Sequence, residues 1–329
     1  MSCYRPNTLV YMTNPNTGEV HTKFLAVNPY DPASAEKLAL YDHYVPIPCG
    51  KCIGCTLDRS RSWADRMILE LDHSKTAVFL TLTYNDEHLS FVDTGECVVP
   101  ILVKDDVQRF FKRLRYYYPD KEIRYYLVGE YGSQSYRPHY HAILYGFSLD
   151  DFSDKRVVGV NEFHQVYFSS PKFEAIWGNG FITLSAVSWQ TCAYVARYVQ
   201  KKSYSDAFGM SPYVDFANVP NEFSLMSRRP GIGGYFASEN PDFDFASKLI
   251  ISDKNGTEPG SRSITFPRYV IDKLSDYKPD LAADIIAQRR EFASVSLENE
   301  LQNTDLCGSL YLANKERIHL ERAKKLLRR

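Results

Sequence analysis

Two apolar runs of nearly equal length face each other across one short turn: EIRYYLVGE (122–130), YGSQSYRP (131–138) and HYHAILYGF (139–147). Runs this rich in Tyr, Val, Ile and Leu, and this short, read as strands. A parallel crossover needs a dozen or more connecting residues, so the turn makes the pair antiparallel. That hairpin commits the chain to an antiparallel sheet. It also sets the chemistry. Side chains alternate along a strand, so His139 and His141 share one face. Glu130 ends the outgoing strand just before the turn, which lets its carboxylate and the two imidazoles converge on one small volume. Two imidazoles and a carboxylate leave coordination positions open, the pattern of a catalytic metal site more than a closed structural one.

The remaining elements build on that sheet. AVFLTLTY (77–84) and FITLSAVS (181–188) are further strands. VKDDVQRFFKRLRYYYP (103–119) is a helix that opens with acids and stops at Pro119. Its apolar face is Val107, Phe110, Phe111, Leu114 and Tyr118, with Arg109, Lys112, Arg113 and Arg115 elsewhere. Further helices are expected at 59–74, 172–178 and 189–202, and a basic one in ANKERIHLERAKKLLRR. The expected class is α+β: a central antiparallel sheet with helices packed on one face. Residues 1–75 form a Cys-containing segment and helix, 76–204 the core, and 205–329 a Pro/Gly-punctuated extension. The stretch after 147 reads as an acidic loop.

Bulk charge is uninformative: 39 Lys and Arg against 40 Asp and Glu give a net charge of -1. Any nucleic-acid surface must come from local clustering. No run approaches the roughly 18 apolar residues of a membrane span. The opening MSCYRPNTLVYM has no basic stretch followed by an apolar one, so no secretory signal is expected and the cytoplasm is the default. Three of seven cysteines fall in PCGKCIGC, as Cys49, Cys52 and Cys55. Overlapping C-x-x-C units in such a chain suggest metal thiolates more than disulfides. A closed zinc site needs a fourth ligand, Cys3 or His43, with Cys3 preferred. The alternative is three reduced thiols in a Gly-containing loop.

YVARYVQKK (194–202) places Tyr194 and Tyr198 one helical turn apart on one face, with Lys201 and Lys202 just beyond. Val195 and Val199 supply a separate apolar stripe that leaves the phenols available. Taken in order, FLTLTY, VGEYGSQSYRPHYHAIL and YVARYVQKK resemble the three motifs of the HUH rolling-circle replication initiators. The paired tyrosines are similar to the microvirus version, and PCGKCIGC and SRRPGIGG to its gokushovirus-type members.

The resemblance implies an HUH nuclease fold with about five strands, of which four are legible. It implies Mg²⁺ or Mn²⁺ on Glu130, His139 and His141, nucleophilic Tyr194 and Tyr198, and Lys201 beside them. The reaction it implies is nicking of single-stranded viral DNA at an origin. That step leaves a 5′-phosphotyrosyl enzyme and a 3′-OH primer, in the cytoplasm of a bacterial host whose helicase and polymerase would be recruited. Arg228, Arg229, Lys202, the arginines of 103–119 and the C-terminal helix are the candidate DNA contacts. The rival classes are a zinc hydrolase using the same His/His/Glu set and a non-catalytic nucleic-acid-binding protein.

Overall fold

In the strand Ala77–Tyr84, Val78, Leu80, Leu82 and Tyr84 point to one side and Phe79, Thr81 and Thr83 to the other. A strand apolar on both faces must sit inside a sheet covered on both faces. The computed structural model places it there, describing residues 3–132, 135–161, 164–197, 218–252 and 261–327. The chain divides into two compact units, residues 60–283 and residues 1–59 with 284–329.

In the smaller unit β1 (Asn7–Thr13) lies between β2 (Val20–Leu25) and β3 (His43–Ile47). Val10, Leu25 and Leu38, the last from the short α1 (Ala35–Leu38), form its core. The C-terminal helix (Gly308–Leu327) docks there: Tyr4 Oη lies 2.5 Å from His319 Nδ1, and Arg5 pairs with Glu316 at 2.6 Å. The long helix Pro279–Gln302 was not legible, its apolar residues including an exposed Phe292.

The larger unit is built on seven strands: β4 (Ala77–Tyr84), β7 (Arg124–Tyr131), β8 (Pro138–Tyr145), β9 (Arg156–Val160), β10 (Val166–Ser169), β11 (Gly180–Ala186) and β12 (Phe223–Met226). They form one antiparallel sheet in the order β12-β7-β8-β4-β11-β10-β9. A separate small hairpin, β5 (Phe91–Asp93) with β6 (Val98–Pro100), follows β4. The α+β class and the central hairpin match the expectation from sequence. The strand count does not: β9 and β10 occupy the expected acidic loop, and β12 pairs with β7 from far along the chain. In β9, Val157, Val158 and Val160 are exposed, so no alternation of polar and apolar residues marks this edge.

The expectation of helices on one face is also corrected, because they cover both. On one side α3 (Lys104–Tyr117) and α4 (Pro171–Trp177) bury Val107, Phe110, Phe111, Leu114, Phe173, Ile176 and Trp177 against β4, β7 and β8. Asp105 and Asp106 favour the positive start of α3. Ser170 caps α4, its hydroxyl accepting from the Phe173 N–H, with Pro171 as first residue. On the other side α2 (Ile53–Ser74) contributes Ala64 and Met67, and α5 (helical over 189–197) contributes Cys192, Val195 and Ala196. These pack on Phe79, Tyr126, Val128, Ile143 and Tyr145. This second face carries the imidazoles.

The SRRPGIGG segment is anchored beneath that face. Arg124 and Glu70 form an ion pair with side chains 6% and 0% exposed. Glu70 also accepts the Gly233 N–H at 2.6 Å, and Arg124 donates to the Pro230 carbonyl at 2.9 Å. Arg66 lies between the Trp63 and Tyr269 rings, 3.9 Å from each, and donates to the Ile232 carbonyl. Gly233 has φ +74°, and a β-carbon there would meet the Arg66 carbonyl at 2.9 Å, so glycine answers both a backbone and a packing demand.

Candidate active site

The register of β7 against β8 makes Glu130 the direct partner of His139, and that of β4 against β8 makes Thr81 the partner of His141. All four side chains therefore rise from the same sheet face. Glu130 Oε1 lies 2.8 Å from His139 Nε2 and 3.2 Å from His141 Nε2. The three ligand atoms fall within 4.8 Å of one another. Glu130 is 3% exposed and His141 7%, so the carboxylate is held where its charge demands a partner.

The distal ring nitrogens identify what that partner can be. His139 Nδ1 lies 3.0 Å from the Arg137 carbonyl, which only accepts, so Nδ1 carries the proton. His141 Nδ1 lies 2.9 Å from Thr81 Oγ1. Both imidazoles thus engage Nδ1 with the scaffold and turn Nε2 toward Glu130, the arrangement of metal-ligating histidines. The donor set of two imidazole nitrogens and one carboxylate oxygen fits a divalent cation and leaves positions for a substrate oxygen.

Helix α5 brings the phenol. Ser188 Oγ accepts the Thr191 N–H at 3.2 Å, and Thr191 Oγ1 accepts the Ser188 N–H at 2.9 Å, a reciprocal cap. Trp189 Nε1 donates to the buried Asp65 of α2 at 2.8 Å, and Arg262 lies 3.5 Å above the Trp189 ring. Burial raises the Asp65 carboxyl above its ordinary value. With Val195 and Ala196 buried, as the valine stripe anticipated, Tyr194 stays half-buried and meets the metal face. Its ring centroid is 5.2 Å from that of His141, edge-on at 75°, and 6.2 Å from that of Phe79. Phe79 stacks on His141 at 5.5 Å.

Glu130, His139, His141 and Tyr194 therefore come together. Tyr198, Lys201 and Lys202 lie outside the described residues. Arg228 and Arg229 are exposed on the anchored SRRPGIGG turn. The arginines of α3 are largely committed to the scaffold. Arg113 donates to the Ile176 and Trp177 carbonyls, Arg115 to those of Phe111 and Ile123, and Arg109 pairs with Asp106. Thr81, Phe79 and the Arg137 carbonyl were not anticipated. The one signal available was FLTLTY itself, whose odd-numbered residues share a face.

The cysteines form a second cluster, in the smaller unit. Cys3 joins Cys49, Cys52 and Cys55, with all four sulfurs within 4.8 Å. His43 instead pairs across strands with Tyr11. Cys49 Sγ accepts the Lys51 and Cys52 N–H groups at 3.4 and 3.3 Å, and Cys3 Sγ accepts the Cys49 N–H at 3.3 Å. Gly50, at φ +74°, makes that tight turn possible. A hydrogen bond from Cys3 holds the Cys52 thiol far below its ordinary value, while Cys3 itself is pushed well above it. The set fits a tetrahedral thiolate-bound ion.

A family model described as replication-associated protein, of the ORF2 type, matches residues 77–203, from β4 through the tyrosine motif. Replication-associated protein ORF2 of Spiroplasma virus 4 is 31% identical over 252 residues, 74% of this chain and 73% of the relative. Replication-associated protein VP4 of Bdellovibrio phage phiMH2K is 30% identical over 237 residues, 71% and 69% of the two chains. Replication-associated protein ORF4 of Chlamydia phage 1 is 30% identical over 234 residues, 70% of this chain and 53% of the relative. No solved structure matches the chain. The chain belongs to this family of replication-associated proteins.

Proposed function

We propose that this family member is an HUH-type initiator endonuclease, which nicks single-stranded viral DNA at an origin by tyrosine transesterification and later rejoins the unit-length circle. The observation that carries the reading is the placement of the Tyr194 ring against His141, on the face where Glu130 and His139 also converge. A metal-activated water would need no phenol there. Mg²⁺ or Mn²⁺ on Glu130, His139 and His141 would supply the charge that polarises a non-bridging phosphate oxygen.

The protein's own groups do the rest. Arg137 and Thr81 hold the imidazoles in ligating orientation. The phenol oxygen of Tyr194 loses its proton and attacks phosphorus; the bond to the 3′ oxygen breaks, and that oxygen takes up a proton. The products are a 5′-phosphotyrosyl enzyme and a 3′-OH, from which a host polymerase, recruited with a helicase in the host cytoplasm, extends. Among the described residues no helix is long and apolar enough to cross a membrane. Tyr198 is the second nucleophile for the next origin, with Lys201 beside it and Lys202, Arg228 and Arg229 on the DNA backbone. Cys3, Cys49, Cys52 and Cys55 hold a structural zinc, supported by the knuckle of N–H···S bonds.

The test is incubation with circular single-stranded DNA and Mn²⁺, followed by a denaturing gel and peptide mapping of any adduct. Wild type should yield a covalent complex at Tyr194 or Tyr198. Tyr194→Phe with Tyr198→Phe should abolish nicking, as should His139→Ala with His141→Ala. Cleavage without an adduct would overturn the reading and move the protein to the metal-activated-water hydrolases.

A further inference from the structure

His141 is the most confined of the three converging ligands. Phe79 stacks on one side of its ring at an interplanar angle of 16°, and Tyr194 approaches edge-on. Those contacts fix the plane of the imidazole but are indifferent to which nitrogen it turns toward Glu130, since a ring flipped by half a turn packs almost identically. One polar contact breaks the tie: Thr81 Oγ1 sits 2.9 Å from Nδ1. Flipping the ring would place a carbon against that hydroxyl and take Nε2 away from its position 3.2 Å from Glu130 Oε1.

The two histidines are held by different chemistry. The carbonyl facing His139 Nδ1 only accepts, so that imidazole has one tautomer available. The hydroxyl facing His141 accepts and donates. It can receive Nδ1–H, which leaves the Nε2 lone pair directed at a cation, and it does so from a strand position opposite His141 in the β4–β8 ladder.

We propose that Thr81 is the positioning residue that sets the ring orientation and tautomer of His141, and through it the affinity of the site for a divalent cation. The proposal rests on reading Glu130, His139 and His141 as that site. Thr81 touches no reacting atom; it acts through His141. β4 supplies an internal control, because Thr83 lies two residues on, on the same face, and is the register partner of His139. His139 Nδ1 is already held by the Arg137 carbonyl, so Thr83 has no equivalent task.

Thr81→Val keeps the β-branched shape suited to a strand and removes only the hydrogen-bonding group. Two measurements on the full chain decide the matter: Mn²⁺ binding by calorimetry, and ¹⁵N NMR of the metal-free His141 ring, assigned against His141→Ala. Loss of such an orienting partner weakens metal binding about 10–100-fold, and this is expected for Thr81→Val. Thr81→Ser should restore binding and Thr83→Val should leave it unchanged, while only Thr81→Val alters the His141 nitrogen signals. Wild-type Mn²⁺ affinity and unchanged His141 signals in Thr81→Val would overturn the proposal. An equal loss in Thr83→Val would do the same, by assigning the effect to the strand. Glu130→Gln separates the two levels. If it binds Mn²⁺ as wild type does, the cation site itself is misassigned and the proposal falls with it; if it loses Mn²⁺ and Thr81→Val does not, only the role of Thr81 is refuted.

Discussion

Replacing Arg124 by Met should destabilise the larger unit more than any surface change, for a reason visible in its surroundings. Its partner Glu70 has a fully buried side chain, and besides the guanidinium it is satisfied by one backbone N–H, that of Gly233. Met retains the apolar stem of Arg124 and removes the charge, leaving a carboxylate in the interior with a single donor. Removing one member of a buried pair costs roughly 3–5 kcal/mol, because the remaining charge is uncompensated. At about 2–4 °C per kcal/mol for a unit of this size, the melting temperature should fall on the order of 6–20 °C. Glu70→Leu added to Arg124→Met should recover much of that loss, since an apolar pair of similar volume often matches a buried ion pair. The Gly233 N–H would still lack its acceptor, a residual cost of about 1–3 kcal/mol. Thermal unfolding followed by circular dichroism measures all three chains. An Arg124→Met midpoint within about 2 °C of wild type, or a double variant less stable than the single, would refute the reasoning.

Arg228→Ala with Arg229→Ala should leave the melting temperature unchanged, because both side chains are exposed on a turn anchored by other residues. It should weaken single-stranded DNA binding and reduce the salt slope by about 0.7 per lost phosphate contact; an unaltered slope would remove both residues from the interface. Cys52→Ser should eliminate about one zinc per chain by elemental analysis and speed proteolysis of the smaller unit, whereas zinc-free wild type of equal stability would dismiss the site. His73 gives a pH test. Burial opposes its charge, but hydrogen bonds to Glu239 at 2.6 Å and Glu122 at 3.4 Å outweigh it and hold its pKa above 6.5. With the folded value raised, its stabilisation is complete below the unfolded pKa and lost as pH rises through the folded one. Wild type should therefore lose stability as pH climbs above about 6.5, and His73→Gln should lack that slope; identical pH profiles would contradict the pairing.

Where interactions are local, they could be read from the chain directly. The β7–β8 hairpin, the shared face of His139 and His141 and the nearness of Glu130 follow from period-two alternation and a short turn. The apolar stripe of α3 and the buried Val195 follow from the helical repeat in the same way. The three cysteines of PCGKCIGC were legible for the same reason, being close neighbours along the chain. What escaped was set by pairing between distant segments. That β4 lies beside β8, bringing Thr81 opposite His141, is a matter of register between strands more than fifty residues apart, to which local alternation is blind. That β12 extends the sheet beyond β7 and that helices cover both faces depended on how the apolar surfaces of central strands find cover. Cys3 reached its cluster, and the C-terminal helix reached Tyr4 and Arg5, by the same long-range burial. The sequence by itself determined which groups stand side by side along the chain; the tertiary structure decided which of them meet, because apolar surface is removed from water by contacts indifferent to separation in sequence.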